Sequence, residues 1–143
     1  MSKSSNEIVI RPYRQADESA VVQLWRDCGL VVSWNNPVAD IARKVQAQPE
    51  LLLVGEIAER VVATVIAGYE GHRGWINYLA VSPDMRRHGI GQRMMGAAEE
   101  KLRSLGCPKI NLQVRRTNSN VMAFYKHLGF AEDDVASLGK RLD

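Results

Sequence analysis

In this 143-residue chain, Arg86-Arg87-His88-Gly89-Ile90-Gly91 joins an apolar run ending at Val81 to a helical pattern starting near Ile90. Two arginines and two glycines at such a junction suit the capture of an anion. Glycine allows backbone turns closed to other residues and lets the chain approach a ligand closely. The first turn of the following helix carries N–H groups without intrahelical partners. Phosphate is the natural guest. The Walker pattern would need Lys followed by Ser or Thr after the last glycine, where Gln92 and Arg93 stand, and the dinucleotide fingerprint would need a third glycine where Met94 stands. Both nucleotide readings fail at named residues.

The elements that must position this turn follow from apolar spacing. Ile8-Val9-Ile10 reads as a short strand, and Asp17 to Cys28 as a helix with Val21, Leu24, Trp25 and Cys28 on one face, stopped by Gly29. Asn36-Pro37 supplies an N-cap and a first-turn proline for a second helix whose apolar face carries Val38, Ile41, Ala42 and Val45. Leu51 to Ile57 and Val61 to Tyr69 form an antiparallel hairpin. After the turn Glu70-Gly71-His72-Arg73-Gly74, Trp75 to Val81 makes a further strand, ended by Pro83. Ile90, Met94, Ala98, Leu102 and Leu105 mark the buried face of a long helix from Gly89 to Leu105. Ile110, Leu112 and Val114 alternate with polar residues, which predicts a strand parallel to the Trp75 strand in a right-handed crossover unit. A last helix from about Ser119 to His127 and a terminal strand from Val135 to Leu142 complete the reading, with no internal repeat or linker.

Composition narrows the class of partner. The length suits one domain, and 45% hydrophobic with 24% charged residues is ordinary for a globular protein. A net charge of +3, with no basic stripe, argues against a nucleic-acid partner and is accounted for by a small anionic ligand. Cys28 and Cys107 do not make a secreted disulfide framework, which favours a reduced, cytoplasmic compartment. Met1 to Asn6 reads as a loose polar tail rather than a secretory segment. No apolar run approaches the roughly 20 residues needed to span a bilayer, so no membrane association is expected.

Motif and element order together resemble the GNAT superfamily of acyl-CoA-dependent N-acetyltransferases over nearly the whole chain. Ile10-Arg11-Pro12 with Asp17 is similar to the family's opening, Arg86-x-x-Gly89-x-Gly91 to its pyrophosphate signature, and Asn118, Tyr125 and Gly129-Phe130 to its second block, N-x6-Y-x3-G-F. Gly71-His72-Arg73-Gly74 and Ser137-Leu138-Gly139-Lys140-Arg141-Leu142 further resemble the small bacterial YpeA-like acetyltransferases, a group that implies no settled substrate. The resemblance implies an α/β (α+β) GNAT fold, a mixed sheet of about six to seven strands flanked by about four helices, in a single domain over 1–143. It implies acetyl-CoA as acyl donor, a primary amine as acceptor, direct transfer and no metal. A homodimer is compatible with that fold, although no stretch specifies an interface. The same fold without turnover would serve as an acyl-CoA sensor or interaction module.

Residue by residue, the resemblance assigns the backbone of Leu79, Ala80 and Val81 to the pantetheine arm and the segment Arg86, Arg87, His88, Gly89, Ile90, Gly91 and Gln92 to the pyrophosphate. An amide near Leu79 or Ala80 would meet the negative charge that grows on the thioester oxygen. Tyr125 corresponds to the family's acid at the departing thiolate. A tyrosine pKa of about 10 exceeds the roughly 8.5 of a thiol, so Tyr125 reads as a hydrogen-bond donor first and a proton donor second. The alternative is a packing aromatic beside Phe124 and Phe130. Asn118 would contact the pantetheine or cap a helix, and the two roles can coexist. Glu70 is the best carboxylate to deprotonate the acceptor, against the alternative of an exposed turn residue, and a water chain would serve equally. Trp34, in the connection from Leu30 to Asn36, and Trp75 would wall the acceptor pocket, the alternatives being core or dimer contacts.

Overall fold

The structure, a computed structural model, describes residues 7–143; the tail expected over Met1 to Asn6 lies outside the described residues. The chain divides into two compact units after Leu112.

The first unit carries a five-stranded sheet in the order β1-β2-β3-β4-β5. β1 (Val9–Pro12), β2 (Leu52–Ile57), β3 (Arg60–Tyr69) and β4 (Gly74–Val81) are successively antiparallel. β2 and β3 are joined through Ala58 and Glu59, whose positive φ angles of 51° and 66° suit a two-residue hairpin turn matched to strand twist. β5 (Ile110–Asn111) lies parallel to β4, as the crossover pattern predicts, but its ladder holds only Gly74↔Ile110 and Trp75↔Asn111. The strand expected to reach Val114 therefore ends three residues early.

Two helices cover one face of the sheet. α1 (Glu18–Asp27) buries Val21, Leu24 and Trp25 as the spacing predicts. α2 (Pro37–Ala47) begins at Asn36, whose side chain accepts the Ala39 N–H at 3.1 Å. Its buried stripe is narrower than expected: Pro37 and Ile41 are buried while Val38 and Val45 are exposed. With Leu52, Val54, Ile66 and Ala80 from the strands, these helices form a core cluster. The residues one step out of phase meet α3 (Ile90–Ser104) and the segment just after it: a Cβ on Gly55 would lie 3.0 Å from Met94 Sδ, and one on Gly74 3.1 Å from Leu102 Cδ1 and only 2.8 Å from Cys107 Sγ beyond the helix. The period of two along each strand thus divides the unit into two layers. On α3 the stripe of Ile90, Met94, Ala98 and Leu102 is buried, joined by Met95, while the expected Leu105 is exposed beyond the helix end.

A part-buried ion pair ties β1 to the start of α1. Arg11 donates to both oxygens of Asp17 at 2.8 and 2.9 Å and to Glu56 at 3.2 Å, and Asp17 also accepts the Arg14 N–H at 2.8 Å.

In the second unit, α4 (Ser119–His127) forms where the sequence predicts it. The terminal strand does not: residues 135–142 are irregular, and Val135, Leu138 and Leu142 are exposed. Their spacings of three and four do not match the period of two that a half-buried strand requires. With five strands among the described residues, the sheet is smaller than the six to seven expected.

Candidate acyl-donor site

β4 is regular only at its ends. The register pairs Thr64 with Ala80 and Ile66 with Asn77, so Tyr78 and Leu79 together stand opposite Val65 alone. This is a β-bulge, which bends the strand and re-aims its groups. Tyr78 absorbs the extra residue with a φ of 51°. Beyond Trp75, β4 has a ladder partner on the β3 side only. Leu79, Ala80 and Val81 thus sit on a bent segment with one edge outside the ladder.

The chain leaves β4 through a braced connection. Ser82 donates its N–H to Val62 O at 2.7 Å, and a single 3-10 turn, Pro83–Met85, follows. Arg60 grips both Asp84 oxygens at 2.8 and 3.0 Å and also donates to Ser82 Oγ at 3.0 Å. The guanidinium and the Ser82 hydroxyl hold the Asp84 carboxyl well below the usual carboxylate range. Arg86 folds back, donating from Nε to Val81 O at 3.3 Å, with Nη2 3.6 Å from Cys28 Sγ.

The turn that follows is left-handed twice, at Arg87 (φ 69°) and Gly89 (φ 72°). Gly89 is the N-cap of α3 and offers no side-chain cap, and the first turn of α3 holds no acidic residue. The leading amides of a fifteen-residue helix therefore point out of an exposed, arginine-flanked turn with their partial positive charge uncompensated. Lys101 and Arg103 sit at the opposite end, where the dipole favours cations. Arg86, Arg87, His88, Gly89 and Gln92 are exposed, while Ile90 is buried as the first apolar contact of α3. His88 and Ile90 also line a cavity of about 330 Å³ with Ile8, Ile57, Met85 and Arg93.

The strand, the turn from Arg86 to Gly91 and the helix start follow one another in the order that the sequence motif and apolar spacing predict. The model of the acetyltransferase (GNAT) family matches residues 11–130, from the Arg11 ion pair to Phe130. The chain belongs to the GNAT family. Among relatives of this GNAT chain, an acetyltransferase of Pectobacterium atrosepticum is 45% identical and one of Yersinia enterocolitica 43% identical, each over 133 residues that cover 93% of this chain and 94% of the relative. The crystal structure of the NatC complex bound to Gag peptide and CoA contains a chain of the same fold, with a TM-score of 0.78 and 22% identity over 90% of this chain and 87% of that one.

In the second unit of this GNAT protein, Asn118 caps α4, its side chain accepting the Val121 N–H at 3.3 Å, and it is exposed. Tyr125 is buried between two edge-on rings, Phe124 at 5.0 Å and Phe130 at 5.6 Å. Burial pushes its hydroxyl up to about 12.

The remaining expected residues lie elsewhere on the first unit. Trp34 and Trp75 are 59% and 39% exposed, so neither is core. Glu70 is exposed, and its Oε1 accepts the N–H groups of His72, at 2.6 Å, and Arg73. These turn amides hold its carboxyl below the usual value, the wrong direction for a base. Glu70 also precedes Gly74, the first residue of β4, whereas Leu79 lies at the bulge toward the other end of the strand. Glu70 caps its own turn in this structure. Among the described residues no cluster of His, Cys, Asp or Glu could hold a metal, and no helix is long and apolar enough to cross a membrane.

Sequence reasoning missed the polar residues behind the bulge: Thr64, Tyr78, Asp40 and Asn35. Only Asn35 carried a signal, as the asparagine directly before the Asn36 cap of α2.

Proposed function

We propose that this chain moves an acetyl group from acetyl-CoA directly to a primary amine, on a small metabolite or at a peptide or protein N-terminus, and that residues 1–143 act as one domain in doing so. The observation that carries the reading is the twice left-handed turn at the uncapped start of α3, directly after a strand with one edge outside the ladder. The turn from Arg86 to Gln92 binds the pyrophosphate through backbone amides, with the arginines supplying charge. The edge of Leu79, Ala80 and Val81 takes the pantetheine amides as an added strand would. An amide near Leu79 or Ala80 meets the oxygen of the tetrahedral intermediate, and Tyr125 donates a hydrogen bond to the departing thiolate sulfur. Asn118 supports the pantetheine or its water.

For the step itself, the neutral amine nitrogen forms a bond to the thioester carbon, the carbon–sulfur bond breaks, the sulfur leaves with the electron pair as CoA thiolate, and the second proton shed by the nitrogen passes through water to that thiolate. The amine must first lose its proton. With Glu70 committed to its turn, a water chain is the favoured route. Trp34 and Trp75 wall the acceptor side. The reaction needs no metal, nucleic acid or membrane, and a cytoplasmic setting supplies its donor.

The test combines CoA binding by calorimetry with thiol release from acetyl-CoA. The acceptors are a diamine, an aromatic amine, an amino-acid amide and tetrapeptides with free N-termini. Binding with turnover of one amine class is the expected result. Binding without turnover would favour an acyl-CoA sensor, and no binding at millimolar CoA would end both readings.

A further inference from the structure

Tyr78 adopts a conformation that a bulky side chain rarely takes, with φ at 51°. Such a residue persists only when its surroundings hold it there, and both ends of this side chain are held. Its ring stacks on Trp25 at 3.8 Å and 14°. The fully buried Trp25 Nε1 donates to Thr64 Oγ1 at 2.8 Å, and that hydroxyl donates on to Tyr78 O at 2.9 Å. The bulge is thus tied to the core through both backbone and ring. At the far end, Tyr78 Oη donates to Asp40 Oδ2 at 2.6 Å and accepts from Asn35 Nδ2 at 2.7 Å.

Those two partners belong to α2 and to the connection that carries Trp34. Asn35 in turn organises that connection, donating to Leu30 O at 3.2 Å and accepting the Val32 N–H at 2.8 Å. Asp40 lies in the first turn of α2, and its other oxygen accepts from the exposed Arg43. One hydroxyl, on the residue adjacent to Leu79, therefore fixes the Leu30 to Asn36 connection to the bulge.

We propose that Tyr78 is a positioning residue for acceptor recognition. Its hydroxyl sets where the Trp34 connection and the start of α2 stand relative to the bulged strand, and so fixes the wall of the amine site from the residue that opens the donor site. The inference rests on the acyl-transfer reading above. It concerns how the amine is received, whatever that amine is, and it leaves CoA binding to the strand edge and the α3 turn.

Tyr78→Phe tests it, because phenylalanine keeps the ring on Trp25 and loses only the hydroxyl. Three readouts are needed: hydrogen–deuterium exchange over residues 30–40, CoA affinity by calorimetry, and steady-state kinetics with acetyl-CoA and whichever panel amine the wild-type protein uses best. Loss of a bond to a carboxylate predicts exchange over 30–40 that is about tenfold faster and an amine KM about tenfold higher, with CoA affinity and kcat within about twofold. Asp40→Asn keeps an acceptor oxygen for the hydroxyl and gives less than about a threefold change in either. Unchanged exchange, or an amine KM that rises in step with a weakened CoA affinity, overturns the inference; the latter marks Tyr78 as support for the bulge alone. A wild-type protein that binds no CoA refutes the acyl-transfer reading instead.

Discussion

Replacing Tyr125 with phenylalanine separates two ways in which a buried tyrosine can assist a leaving thiolate. The edge-on contacts with Phe124 and Phe130 involve only the ring, so the variant keeps its packing and loses one oxygen. Burial raises the hydroxyl to about 12, against the roughly 8.5 of a thiol. Full proton transfer to the thiolate is then uphill by about 3.5 pKa units, on the order of 5 kcal/mol. A hydrogen bond to the developing anion needs no such transfer and is worth about 1.5–3 kcal/mol. At about 1.4 kcal/mol per factor of ten, Tyr125→Phe should lower kcat roughly 10- to 150-fold. The assay is thiol release at saturating acetyl-CoA from pH 6 to 10.5, beside calorimetric CoA binding. A hydroxyl at about 12 stays neutral over this range, so the tyrosine adds no alkaline limb. Wild-type turnover in the variant with CoA binding intact would remove Tyr125 from the mechanism. An alkaline limb near pH 8–9 that the variant abolishes would refute the hydrogen-bond argument, because it would require a hydroxyl that ionises with the thiol.

At Gly89, where an added Cβ meets nothing within 4 Å but φ is 72°, alanine should cost about 1–2 kcal/mol of backbone strain and weaken CoA binding, with Asn recovering part of both; equal affinity and melting temperature in Gly89→Ala would show the left-handed turn to be dispensable. Asp17 is held below its unfolded pKa chiefly by Arg11, so its contribution is present above about pH 4 and is lost as the pH falls through the folded value. Arg11→Met strands this carboxylate, costs about 3 kcal/mol near neutrality and flattens the acid loss; parallel urea midpoint-against-pH curves for the two proteins would contradict this. Glu70→Gln keeps an oxygen for the His72 and Arg73 amides and should leave the pH–rate profile unchanged, whereas loss of an acidic limb present in the wild type would restore Glu70 as the base.

Much of the scaffold was legible because local rules governed it. Gly29 stops α1 with a positive φ of 71°, Asn36-Pro37 opens α2, and the α3 stripe begins at Ile90, where the unpartnered amides belong. Legibility failed where one segment depends on another. Nothing in Ile110 to Val114 says that the ladder stops after two pairs, because that end is set by the course of β4. The apolar residues near the C-terminus suggested a strand by composition, although their spacing did not support one. Arg87 takes the left-handed turn that glycine would be expected to take, while Gly91 lies inside α3. The Tyr78 network joins residues 38 and 43 positions apart, and its backbone conformation runs against the residue's preference. It was invisible in the sequence for both reasons.

The bulge in β4 also bears on what the chain avoids. A strand with main-chain groups outside the ladder is a template on which another polypeptide can pair, the first step toward aggregation. Flat, regular register is what such pairing needs, and the two residues opposite Val65 deny it by twisting the edge halfway along. A short, flexible ligand arm with a few amides can follow so broken an edge, while a full-length strand cannot. On the acyl-transfer reading, the irregularity at Tyr78 and Leu79 suits a short ligand arm at this edge and disfavours regular strand pairing there.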